Sequence, residues 1–96
     1  MLKALLLDDK KSIIEGMTEL IEWEKYGFEI AAALRKSDEA LEFLKNRHID
    51  LVITDIRMPR VSGLDLIRII SEENKTNTHF IVISGYKEFE YAHQAL

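Results

Sequence analysis

Apolar and polar positions along the chain alternate between two periods. Four short, nearly continuous apolar runs, "KALLL" (3–7), "FEIAAAL" (28–34), "DLVIT" (50–54) and "HFIVIS" (79–84), read as strands. Between and after them apolar residues recur at helical spacing: Ile13, Ile14, Met17, Leu20 and Ile21; Ala40, Leu41 and Leu44; Leu66, Ile67 and Ile70; Phe89, Ala92, Ala95 and Leu96. Ser12-Ile-Ile-Glu15 fits a capping box for the first helix, and Ser37 fits an N-cap for the second. Gly27 punctuates the end of the first helical stretch, with Trp23 and Tyr26 expected to cover it. Asp38 and Glu39 at the start of the second helix, and Lys45, Arg47 and His48 near its end, match the helix dipole.

The resulting order, β-α-β-α-β-α-β-α, predicts an α/β fold: a parallel sheet with helices on both faces and right-handed crossovers. Strands that are apolar throughout, rather than alternately, are those covered on both sides. No linker or low-complexity segment interrupts residues 1–96, which read as one domain.

Composition narrows the chemistry. A net charge of −4 leaves no basic footprint, so direct nucleic-acid binding by this segment is not expected. Without cysteine, disulfides, thiolate metal sites and cysteine nucleophiles are excluded. No apolar run reaches the length of a membrane span, and Asp8 and Asp9 cut off the N-terminal run before a signal-peptide pattern develops. A soluble, cytoplasmic chain is expected. His48, His79 and His93 sit on different elements and fit no ligand spacing.

The carboxylates carry the most information. In open α/β sheets ligands bind beyond the carboxyl ends of the strands, and Asp8 and Asp9 follow the first strand while Asp55 follows the third. If those strands are neighbours, three acids meet, and their repulsion calls for a proton or a cation. The candidate ligands are all oxygens, which selects a hard divalent ion such as Mg2+. Such an ion suits phosphoryl transfer, with a neighbouring carboxylate as nucleophile and an aspartyl-phosphate as product. Ser84, followed by Gly85, offers a hydroxyl and an open backbone amide at the end of the fourth strand.

"LLLDD", "LVITDIRMPRVSG" and "IVISGY", in this order, resemble the receiver domain of two-component response regulators. The resemblance covers essentially the whole chain. It implies a flavodoxin-like three-layer sandwich with sheet order 2-1-3-4, the family's fifth strand and helix lying beyond residue 96. It also implies Asp55 as phosphoacceptor, Asp8 and Asp9 with Asp55 as Mg2+ ligands, and the backbone carbonyl of Arg57 as a further ligand. Ser84 would be the switch hydroxyl and, with Gly85, a phosphate contact. A sensor histidine kinase would be the phosphoryl donor. "LIEWEKYGFEI" and "SGYKEFEYAHQAL" further resemble receivers attached to AraC-type DNA-binding regions, which implies transcription control through an output domain outside this chain. Lys10, Arg60 and Ser62 depart from the family's more usual Glu, Gly and Asp, and the lysine ending its fifth strand has no counterpart up to Leu96.

Two other functions fit parts of the pattern. A non-phosphorylated interaction module would share the fold. A haloacid-dehalogenase-type phosphatase would share the aspartyl nucleophile, but Arg57 stands where its second aspartate belongs. Strand 79–84, if left at the sheet's edge, would invite self-association.

Overall fold

The computed structural model describes residues 1–58, 60–74 and 77–83. Pro59, Ser84, Gly85 and the helix expected over 86–96 lie outside these residues. The described elements run β1 (Leu2–Leu7), α1 (Lys11–Leu20), a 3-10 turn (Trp23–Tyr26), β2 (Phe28–Leu34), α2 (Ser37–Asn46), β3 (Leu51–Asp55), α3 (Gly63–Asn74) and β4 (His79–Ile83). All four strands are parallel, in the order β2-β1-β3-β4.

The central strands are the most apolar ones. Ala4, Leu5, Leu6 and Leu7 of β1 and Val52, Ile53 and Thr54 of β3 are all buried, as strands covered on both faces must be. Leu5, Leu7 and Val52 point to one face, where Ala40 and Leu44 of α2 and Leu66 and Ile70 of α3 close over them. Met58 joins this cluster and thereby anchors the loop after β3. Right-handed crossovers put α1 on the opposite face, above Ala4 and Leu6.

Among the described α-helices, only α1 lies on that second face. Ile14 and Met17 of α1 are half-buried, whereas Leu20 is 84% exposed and Ile13 and Ile21 also face solvent. The described elements therefore cover only part of the apolar stripe of α1. The helix lies over β1 and β2, and no other described element covers the flank toward β4, where Ile81 and Ile83 are exposed as well.

Four local expectations are corrected. The capping box at Ser12–Glu15 does not form: α1 starts at Lys11, because Asp8 Oδ1 accepts the Lys10 N–H at 2.9 Å and turns the chain into the helix early. Ser37 is the first residue of α2 rather than its cap; Lys36 precedes it in an extended conformation. The first helix ends at Leu20, before the "EWEKYG" stretch, and the 3-10 turn ends on Gly27, whose φ of 84° glycine adopts freely. Trp23 still covers that end, donating Nε1–H to the Met17 carbonyl at 2.9 Å and meeting Phe28 edge-on. Tyr26, expected beside it, is 67% exposed.

β2 holds a register shift. Ala4 pairs with Ile30 but Leu5 pairs with Ala32, so Ala31 is an inserted residue. Phe28 and Ile30 therefore share the α1 face, while Ala32 and Leu34 pack into the α2–α3 core.

Candidate functional site

β1 and β3 are direct neighbours, with Leu7 paired to Thr54, so the residues that follow them emerge side by side. Asp8, Asp9 and Asp55 each place one carboxylate oxygen so that all three atoms lie within 4.8 Å of one another. Asp8 is buried and the other two are half-buried. The expectation that the three acids meet at one end of the sheet is met.

The cluster is pinned by backbone contacts. The Asp8 N–H extends the β1–β2 ladder to the Leu34 carbonyl at 3.1 Å, and Asp8 Oδ1 accepts the Lys10 N–H. Asp9 Oδ1 is buried and has no hydrogen-bond partner among the described residues. A buried carboxylate oxygen left unpaired is costly, and a cation is the group that would relieve it. This donor set, hard oxygens with one orphaned, fits a divalent ion such as Mg2+.

Asp55 is fixed through its main chain. Thr54 Oγ1 donates to its carbonyl oxygen at 3.0 Å, and the start of α3 presses against the same peptide. The Gly63 N–H bonds the Ile56 carbonyl at 2.9 Å. A reciprocal cap opens α3: Ser62 Oγ accepts the Asp65 N–H at 3.1 Å, and Asp65 Oδ2 accepts the Ser62 N–H at 3.4 Å. In the same loop Arg60 sits at φ 72° and donates to Asp38 Oδ2 at 3.1 Å. Arg57 lies two residues past Asp55 with an exposed side chain.

Sequence reasoning missed two contributors. Arg35, just beyond β2, donates Nε–H and Nη2–H to the Asp9 carbonyl at 3.2 and 3.0 Å. Gly63 is needed for its lack of a side chain. Ser84 and Gly85 lie outside the described residues; Ile83, the residue before them, is the register partner of Asp55.

Burial raises the Asp8 carboxyl above its ordinary 3.8, opposed by the Lys10 N–H and reinforced by the charges of Asp55 and Asp9. A carboxyl with a raised folded value holds its proton better in the folded state. Its ionisation therefore weakens the fold at neutral pH, and this penalty fades as pH falls through the raised value toward 3.8. With metal chelated, the urea midpoint of the wild type is expected to gain on that of Asp8→Asn as pH is lowered over this window. A constant difference between the two would contradict it. Asp50, at the other end of the sheet, is held below 3.8 by the Lys3 N–H and by His48, so its opposite contribution is lost only below that window.

The family model for the response regulator receiver domain matches residues 4–96. The chain is 41% identical over 96 residues to the uncharacterized transcriptional regulatory protein YesN of Bacillus subtilis, covering all of this chain and 26% of YesN. It is 37% identical over 91 residues to the transcriptional regulatory protein HptR of Staphylococcus aureus, covering 95% of this chain and 35% of HptR. The chain thus spans about a quarter to a third of these relatives. Among solved structures, the receiver domain of AraT, a response regulator from Geobacillus stearothermophilus, superposes with a TM-score of 0.88 at 38% identity, over 98% of this chain and 72% of that one. A two-component transcriptional regulator AraC from Clostridium phytofermentans gives 0.89 at 27% identity, over 100% of this chain and 74% of that one. With its sheet order, its acids at the ends of β1 and β3, and a match over nearly every residue, the chain belongs to the response regulator receiver domain family.

Proposed function

We propose that Asp55 is the phosphoacceptor of this receiver domain and that Asp8 and Asp9, with Asp55 and the Arg57 carbonyl, hold a Mg2+ ion beside it. The observation that carries this reading is the convergence of three carboxylates at the ends of adjacent strands, one oxygen buried without a partner among the described residues. Asp55 is the acid on the central strand β3, with its main chain fixed on two sides, which suits a nucleophile that must attack in line. A carboxylate oxygen of Asp55 attacks the phosphorus of a phosphohistidine on a sensor kinase. The new O–P bond forms as the N–P bond breaks, and the imidazole leaves and takes up a proton. Water later hydrolyses the acyl phosphate and restores the carboxylate. When bound, the ion neutralises the phosphoryl oxygens. Ser84 and Gly85, next in sequence after the partner of Asp55, are assigned the contacts to those oxygens.

The catalysis is self-directed, and the chain turns over no separate substrate. Control of transcription through a DNA-binding output region, within the cytoplasm, is the biological reading supported by relatives that are transcriptional regulators. Residues 1–96 act as the receiver domain in this reading.

Incubation with acetyl phosphate and Mg2+ is expected to add one phosphoryl mass to the intact chain, and chelation of the metal is expected to abolish the addition. A folded chain that gains no mass with Mg2+ present would overturn the assignment.

A further inference from the structure

The turn that carries Asp8 and Asp9 is tied to the end of β2 by three hydrogen bonds. One is the Asp8 N–H to the Leu34 carbonyl; the other two come from the next residue, Arg35, whose Nε and Nη2 both grip the Asp9 carbonyl. Arg35 lies 26 residues from Asp9 in sequence, so this is a tertiary clamp between two loops. The same residue, Asp9, offers one carboxylate oxygen to the three-acid cluster, and its Oδ1 is buried with no partner among the described residues. Planar, two-pronged contact is what a guanidinium offers and a lysine cannot.

We propose that Arg35 is a positioning residue for the divalent-cation site, holding the Asp9 peptide so that its carboxylate stands preformed as a ligand. This rests on the reading of the three acids as a metal site. Two effects of Arg35 oppose each other. Its positive charge disfavours a nearby cation, while its grip on the Asp9 carbonyl removes freedom that the ion would otherwise have to freeze. The guanidinium is exposed, so water and salt screen its charge, whereas the hydrogen-bonded geometry is not screened. Positioning wins, and that fixes the sign of the test.

The probe is Mn2+ in place of Mg2+, titrated into the chain while the free-ion electron paramagnetic resonance signal is followed. Arg35→Ala is expected to bind Mn2+ about 3- to 10-fold more weakly than wild type, somewhat less than the cost usual for residues that orient metal ligands from behind. Its metal-free urea midpoint is expected to stay close to wild type. Arg35→Lys, which keeps the charge and loses the fork, should fall between the two. Charge alone predicts the reverse, tighter binding on removing the arginine. Equal or tighter binding by Arg35→Ala overturns the proposal. If that variant does not fold, Arg35→Lys decides: weakened binding supports the clamp and wild-type affinity overturns it. A wild-type chain that leaves the Mn2+ signal undiminished sinks the metal reading and this proposal together. Wild-type binding with unchanged variants sinks this proposal alone.

Discussion

Asp55→Asn is expected to abolish phosphoryl uptake from acetyl phosphate while making the metal-free fold more stable. The amide keeps the shape of the carboxylate and removes the nucleophile and one negative charge. Two unit charges at 4 Å repel by about 4 kcal/mol at an effective dielectric near 20, and Asp55 sits in a cluster whose oxygens all lie within 4.8 Å. Asp9 and Asp55 are half-buried, so water reduces this strongly; a gain of ~1 kcal/mol is the expected residue. The charge of Asp55 also helps raise the Asp8 carboxyl, so the pH dependence attributed to Asp8 should shrink in the variant. Mg2+ should then stabilise Asp55→Asn less than wild type, since ligand-linked stability grows with affinity for the folded state. Intact-mass measurement, together with urea unfolding across pH and with and without Mg2+, checks all four outcomes. A variant that still gains a phosphoryl group would remove Asp55 from the role.

The parts of this site that could be read in the sequence are those whose signal is local. Asp8, Asp9 and Asp55 stand out because they follow apolar runs, and the alternating periods are enough to give the order of the four strands and the three described α-helices. The adjacency of β1 and β3 remained conditional until the pairing of Leu7 with Thr54 was seen. Arg35 could not be recognised, because its partner is a backbone carbonyl 26 residues away and nothing in either local pattern links them. Capping shows a subtler limit. Ser12–Glu15 and Ser62–Asp65 both offer a hydroxyl followed three residues later by a carboxylate, yet only the second pair caps a helix. The first is pre-empted by Asp8, which bonds the Lys10 N–H and starts the helix at Lys11. The bulge at Ala31 was hidden for a similar reason. Burial alternates evenly along β2, so the sequence pattern looks like one face although the register shift divides it between two. The apolar stripe of α1 was legible as a stripe, but not how little of it the described elements cover.

Gly63→Ala is expected to cost about 1–3 kcal/mol in stability, the range for forcing a methyl group into packed space. A Cβ built on Gly63 overlaps the Asp55 carbonyl oxygen and lies 3.1 Å from the Ile56 Cα and 3.2 Å from the Asp55 carbonyl carbon. These neighbours are backbone atoms, so no side chain can swing aside; α3 or the end of β3 has to move. Gly63 has no positive φ, so alanine can adopt the conformation, and the penalty comes from space alone. The displaced peptide is the one that carries the acceptor. Misplacing a reacting group by about 1 Å can cost ~100-fold in rate, so phosphoryl uptake should slow by about 10- to 100-fold even where the variant remains folded. Gly16 in α1 supplies the contrast. Among the described residues it has nothing within 4 Å of a built Cβ, and it lies inside a helix, so Gly16→Ala should stabilise by roughly 0.5–1 kcal/mol and leave the uptake rate unchanged. The same methyl group thus acts with opposite sign at two glycines. If Gly63→Ala unfolds at the wild-type urea midpoint and is phosphorylated at the wild-type rate, the close approach of α3 to the acceptor peptide has no role in holding Asp55.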